Sequence, residues 1–230
     1  MKLLAFETST SVSSVALFKD HFLLAESTLE LDASHSEHLL PTVDLILKQT
    51  GNQISEIDFF GVACGPGSFT GLRVSLATVQ AFAKQHEKNI ASVSTLQAMS
   101  LNGYFFPGLV CSLLDARQNE VYAGAFRFSA KGKCTRIFED AVFSCEALVE
   151  KLQAYDESIL LIGYGVESYK DQFMNEGIEI HWAPPHICMP KATHVGILSY
   201  EAIRAGKLVS PDKLVPNYIR IPLAQTKLSS

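Results

Sequence analysis

The sequence predicts an α/β chain of two similar halves, each a mixed sheet with flanking helices. Three observations predict it. Short apolar runs of strand composition alternate with stretches of helical periodicity along all 230 residues. The order meander, helix, strand, helix is legible twice, without residue identity between the two copies. Between them Gly103, Pro107 and Gly108 surround three aromatics, the composition of a boundary. The expected division is residues 1–104 and 105–230. A chain of this length holds one large domain or two of about 100 to 120 residues.

Taken in order, residues 3–6 read as a buried strand, and Glu7-Thr8-Ser9-Thr10-Ser11 as a hydroxyl-rich turn. Residues 12–18 and 22–31 come next as second and third strands. Glu7 ends the first strand, where a catalytic or metal-ordering carboxylate often sits; the plainer alternative is a strand-end charge bonded to the turn. Leu39, Leu40, Val43, Ile46 and Leu47 then recur at helical spacing, with Ser34 as N-cap, Glu37 completing a capping box, and Gly51 ending the helix. His35 and His38 lie one turn apart, but the HExxH order that zinc would need is absent, so a structural or interface role is expected.

Residues 59–63 form a strand that runs into Cys64-Gly65-Pro66-Gly67-Ser68-Phe69-Thr70-Gly71-Leu72-Arg73. The glycines permit a sharp strand-to-helix turn, and Ser68 or Thr70 can cap the next helix. The run has no GxxxxGK[ST] and no lysine, which excludes a P-loop, and it misses the GxGxxG spacing. It reads either as an anion-binding turn or as close backbone packing. In the helix beyond, Leu72, Leu76, Val79 and Ala83 form one apolar stripe. Val74, Thr78, Ala81 and Phe82 form a second, and Gly71, Ser75 and Thr78 a side of small residues. A helix apolar nearly all round is either central or covered on one face by a partner. Residues 90–93 are a strand, and Ser94 or Thr95 opens another helix.

The second half begins with strands at 109–114, 120–128 and 134–143, the first running into Asp115-Ala116-Arg117. Next come a helix at 146–154, a strand at 159–162, Gly163-Tyr164-Gly165, a helix at 166–175 and a strand at 178–182. A Pro-rich link leads to a helix at 193–205 and an extended tail. Each half is thus RNase H-like in order. Nucleotide-binding members of that class wrap phosphates with the first turn, here Thr8, Ser9 and Thr10.

The formal net charge of −5 disfavours this chain as the one gripping a nucleic acid. Five cysteines without C-x-x-C spacing read as reduced thiols of a cytoplasmic protein. No signal peptide is seen, and no apolar run reaches the length of a membrane span.

Five stretches resemble the bacterial TsaB (YeaZ) family: residues 3–15, the run Gly65 through Arg73, Val93-Ser94-Thr95-Leu96, Asp115-Ala116-Arg117 with Glu120-Val121-Tyr122, and Pro216-Asn217-Tyr218-Ile219-Arg220. The resemblance implies the fold of actin, Hsp70 and sugar kinases (ASKHA). It also implies a non-catalytic subunit of the cytoplasmic machinery that makes threonylcarbamoyladenosine (t6A) next to the anticodon of tRNAs reading ANN codons. Such a subunit pairs with the paralogous transferase TsaD through its first two helices. Here these would present His38, Leu39, Pro41 and Thr42, and Phe69, Thr70, Gly71, Arg73, Val74, Ser75 and Thr78. TsaE would join the pair, and a homodimer is expected when the chain is alone. A vestigial nucleotide cleft would comprise Thr8, Ser9, Thr10, Asp115, Gly163 and Gly165. No catalytic or metal residue is expected and no cofactor is required by this chain, with ATP entering at the level of the complex.

The sequence departs from the transferase where its His-x-x-x-His metal ligands would fall, at Thr95 and Met99. Tyr164 separates the two glycines expected beside adenine, and Glu7 stands where relatives more often have Asp. An active ATPase or kinase of the same fold is the runner-up reading. An RNase H-type nuclease needs several converging carboxylates, and only Glu7 is so placed.

Overall fold

The structure, a computed structural model, describes residues 1–30, 35–173 and 177–220. Its residues group into two units. One comprises Met1–Ala98 and Pro190–Asn217; the other comprises Met99–Met189 and the stretch from Tyr218.

The first unit holds β1 (Lys2–Glu7), β2 (Val12–Lys19), β3 (Phe22–Glu30), α1 (His35–Gln49), β4 (Phe59–Ala63), α2 (Phe69–Gln85), β5 (Ile90–Val93) and most of α3 (Thr95–Ser100). The strand order is β3-β2-β1-β4-β5. β1 is antiparallel to β2 and parallel to β4, with Phe6 opposite both Val15 and Val62. Leu4 and Phe6 point to one side and meet Leu39, Val43 and Ile46 of α1 and Leu72, Leu76 and Val79 of α2. Leu3 and Ala5 point the other way, and both are fully buried. A central strand covered on both faces reads as a continuous apolar run rather than an alternation.

That second cover is α5 (Ala192–Arg204), and it corrects the expected division at 104/105. Residues 190–217 belong with the first unit because α5 lays Val195, Gly196, Leu198 and Ser199 on its sheet. The fit depends on small residues. A Cβ at Gly196 would enter the Phe18 ring, and one at Gly61 would meet Ser199.

In the second unit, β6 (Leu109–Arg117), β7 (Glu120–Phe128), β8 (Cys134–Ser144), α4 (Cys145–Gln153), β9 (Ile159–Tyr164) and β10 (Ile180–Trp182) repeat the plan. The order is β10-β9-β6-β7-β8, with β6 antiparallel to β7 and parallel to β9. From the meander inward this is the first sheet again, so both units have the RNase H-like arrangement. Leu109, Cys111 and Leu113 pack with Val121, Ala123 and Ala125 and with Leu148 and Leu152 of α4.

Local signals mostly hold. Ser68 caps α2, its hydroxyl accepting from the Gly71 amide at 3.2 Å. Gly51 ends α1 at φ +65°, with the Asn52 amide reaching back to the Leu47 carbonyl as in a Schellman motif. Ser34, the expected N-cap of α1, and Leu31, the expected end of the third strand, lie outside the described residues. The helix expected at 166–175 is instead a 3₁₀ segment, Glu167–Phe173, introduced by an i+3 bond from Tyr169 to Val166; its last two expected residues also lie outside the described ones. Its inward residues Val166, Tyr169 and Phe173 pack into the core of the second unit.

Candidate functional site

The turn after β1 is buried: Glu7, Thr8 and Ser9 are each at most 1% exposed. Its polar groups are used internally. The Ser9 amide donates to Glu7 Oε1 at 2.6 Å, and the Thr8 hydroxyl donates to the Gly71 carbonyl at 2.8 Å. The Ser9 carbonyl accepts from the Ser68 amide at 2.6 Å. The backbones meet so closely that a Cβ at Gly67 would overlap the Ser9 carbonyl and one at Gly71 the Thr8 carbonyl. His35, the first residue of α1, sits 2.7 Å from the Thr10 carbonyl through Nε2. A carbonyl only accepts, so Nε2 carries the proton. The hydroxyl turn therefore seats the N-termini of both α1 and α2.

At Ser9 this arrangement differs from a phosphate-binding turn, although the buried Ser9 hydroxyl has no partner. A phosphate-binding turn presents free N–H groups, whereas here the Ser9 amide is taken and the glycine turn lies directly on Thr8 and Ser9. Glu7 adds to the difference. Burial pushes its carboxyl up to about 7, against the pull of its hydrogen bonds to Ser9, and Oε2 has no partner. The carboxylate is thus a strand-end group bonded to its own turn, the plainer of the two readings.

The two helices seated there divide into inner and outer faces. Leu39, Thr42, Gly71 and Ser75, expected at an interface, are buried within the chain itself. Leu39 lies in the core against the sheet, the Thr42 hydroxyl donates to the His38 carbonyl, and Gly71 faces Thr8. Pro41, Thr70 and Arg73 are exposed, while His38, Phe69, Val74 and Thr78 are half-buried. The Arg73 guanidinium stacks 3.7 Å above the Phe69 ring. Four further residues complete the outer surface, of which the sequence places only Ala81 on the second stripe of α2. Leu40 and Leu45 on α1 are about half exposed, and Ala77 and Ala81 on α2 are exposed. The available signal was a pair of leucines off the inner stripe of α1.

The second unit's turn is of another kind. Arg117, Gln118 and Asn119 all have positive φ, between 57° and 67°, and are exposed. Asp115 accepts from the Arg117 amide at 2.8 Å and from the Tyr169 hydroxyl at 3.0 Å. Gly165, at φ +72°, has only the Asp115 Cβ near it, at 3.7 Å. Gly163 is required by packing, since a Cβ there would strike Val166. The Arg220 guanidinium donates to the Ala116 carbonyl and pairs with Glu120. So Thr8, Ser9 and Thr10 are brought together around α1 and α2 in one unit, and Asp115 and Gly165 adjoin in the other. Thr95 and Met99 are both fully buried. Among the described residues, no group of three or more His, Cys, Asp or Glu is arranged to hold a metal, and no helix is long and apolar enough to cross a membrane.

Comparison with known proteins agrees with the fold. The family model described as TsaD: tRNA N6-adenosine threonylcarbamoyltransferase matches residues 23–226. The tRNA threonylcarbamoyladenosine biosynthesis proteins TsaB of Bacillus subtilis and Escherichia coli are each 28% identical to the chain. They cover 99% of it, and the matches span 97% and 98% of their own lengths. The solved structure of YeaZ from Pseudomonas aeruginosa superposes with a TM-score of 0.81 at 26% identity, covering 94% of this chain and 99% of that one. The chain belongs to the TsaD family, described as tRNA N6-adenosine threonylcarbamoyltransferase, and within it to the TsaB (YeaZ) group.

Proposed function

We propose that the chain serves t6A synthesis as a non-catalytic subunit that pairs with a TsaD-type transferase through the outer faces of α1 and α2, with TsaE joining the pair. The observation that carries this reading is the use made of the first turn. The Thr8 hydroxyl and the Ser9 and Thr10 carbonyls hold two helices in place, and those helices turn Leu40, Leu45, Ala77 and Ala81 outward. α2 has 17 residues and so runs about 25 Å. Two such faces suit a patch of about 800 Å² per partner. The names of the relatives support the pathway, and the buried Thr95 and Met99 support the absence of the transferase's metal. The subunit acts by binding one conformer of its partner better than others, which shifts the partner's population.

Charge placed in that face tests the reading. Val74→Glu and Thr78→Glu are expected to abolish pairing, measured by gel filtration with light scattering, while the far-ultraviolet spectrum of the chain is retained. Ala77→Glu is the cleaner variant because its position is exposed. An unpaired carboxylate buried on docking costs about 3 kcal/mol or more, over 100-fold in affinity. Undiminished pairing in all three variants would sink the interface. Tight, metal-dependent ATP binding by the isolated chain, titrated by calorimetry, would move the reading to a kinase or ATPase.

A further inference from the structure

The outer face of α2 is bordered by a strap formed by residues 209–217. Val209 makes a reciprocal backbone bridge with Ile90, the two N···O distances being 3.0 and 2.9 Å. Leu214 is 4% exposed and joins the core beside α2. The Asn217 amide donates to the Cys64 carbonyl at 2.7 Å, at the mouth of the glycine turn. Between these anchors the strap is superficial: Asp212, Lys213 and Asn217 are exposed, and Val215 is 68% exposed. An open groove of about 460 Å³, lined by Lys84, Lys88, Asn89, Pro211 and Asp212, separates part of it from the end of α2.

Two side chains tie α2 to the strap, Lys84 at the groove and Gln80 one turn before it. Gln80 directs its amide nitrogen at two carbonyls, Pro211 at 3.0 Å and Leu214 at 2.9 Å. Both acceptors are carbonyls, so the NH₂ faces the strap and both its protons are used. Gln80 lies on the stripe Arg73, Ala77, Gln80, Lys84, at i, i+4, i+7 and i+11, whose first two members are exposed on the proposed docking face. The last, Lys84, pairs with Asp212 at 2.6 Å. The strap therefore grips the lower half of the same stripe that a partner would meet on its upper half.

We propose that Gln80 is a positioning residue for docking: by fastening residues 209–217 to α2, it fixes the attitude in which Arg73, Val74 and Ala77 are presented. This rests on the pairing reading above. Loosening the strap lowers the fraction of chains competent to dock, and the apparent affinity falls in proportion.

Gln80→Met in the full chain removes both donors and keeps the bulk. Hydrogen exchange of the strap amides, the dissociation constant with the TsaD-type partner and the thermal midpoint are measured together. Exchange across residues 209–217 is expected to speed up and Kd to rise about tenfold, the competent fraction falling to about a tenth. The thermal midpoint stays near that of the parent. Gln80→Lys, which restores a donor, is expected to recover part of the affinity. Should Gln80→Met not fold, Leu214→Ala loosens the strap by a second route. Unchanged exchange, or faster exchange with unchanged Kd, overturns the proposal. If Ala77→Glu abolishes binding while Gln80→Met leaves it intact, the strap idea falls and the pairing reading stands. If the parent chain binds no such partner, both fall.

Discussion

The turn after β1 and the turn after β6 occupy the same place in two sheets of the same order, and they are built oppositely. The first is buried, spends the Thr8 hydroxyl and the Ser9 amide on the chain, and carries two helices on its back. The second is exposed, runs through three left-handed residues, and is steadied by Asp115 accepting from a backbone amide and one phenol. The elements downstream differ too. β4 leads into a 17-residue α-helix, and β9 into a short 3₁₀ segment. Topology alone therefore assigns no role to such a turn. The role depends on the atoms that fill the space in front of it, and in the first unit those belong to the glycine turn.

The largest test of this contrast is a methyl group. Gly71 is the third residue of α2, where intrinsic propensity predicts that Gly71→Ala gains about 1 kcal/mol. Its Cβ would overlap the Thr8 carbonyl, however, a backbone atom held in a buried turn. The expected outcome in urea unfolding is a loss of about 4 kcal/mol, or no folded chain. In the second unit, Gly165→Ala meets open space and incurs only the left-handed backbone cost, about 1 kcal/mol. Equal effects at the two sites would dissolve the distinction between a filled turn and an open one.

A smaller effect reads the same burial through protons. Burial raises Glu7 from an ordinary 4.5 to about 7 in the folded chain. A carboxyl raised on folding gives its full stability below its unfolded value, and this is lost as pH rises through the folded one. Between pH 4.5 and pH 8 the group should therefore cost the fold about 3 kcal/mol. Glu7→Gln keeps an acceptor for the Ser9 amide and cannot ionise. It is expected to match the parent near pH 4.5 and to be more stable by up to about 3 kcal/mol at pH 8, in urea unfolding at each pH. Parallel pH profiles for parent and variant would show that the carboxyl is not sealed by the glycine turn.

The sequence disclosed the strands readily, because Leu3 to Phe6 and Leu109 to Leu114 are apolar runs buried in sheet centres, and both meanders with their parallel partners are built on them. It disclosed less where distant chain returns. Nothing local to residues 192–204 says that this helix covers the first sheet, since Gly196 acquires its meaning only from the Phe18 ring. The hydroxyl turn reads as a ligand site because Thr8, Ser9 and Thr10 are polar by type, and the burial of Thr8 and Ser9 is imposed by residues 67–71 from elsewhere in the chain. Resemblance named the helices α1 and α2 but not their rotation. Leu39 and Ser75 point inward, Leu40 and Ala77 outward, and one residue of helix is a turn of about 100°. The strap's hold on Gln80 has no sequence signal, because its acceptors are two backbone carbonyls.

The smallest effect is expected in the second unit, where Tyr169→Phe removes the phenol that donates to Asp115. Burial, and then the hydrogen bond to Asp115, keep that phenol protonated by raising its pKa. The site is partly exposed, so water replaces the lost donor. The net loss is about 0.5 kcal/mol in urea unfolding, and pairing through α1 and α2 is unchanged. The Arg117 amide still holds Asp115 at 2.8 Å, so the turn keeps its shape. A loss several times larger would mean that the open turn is as tightly keyed as the buried one. The contrast between the two units would then lie in what each turn supports rather than in how firmly it is held.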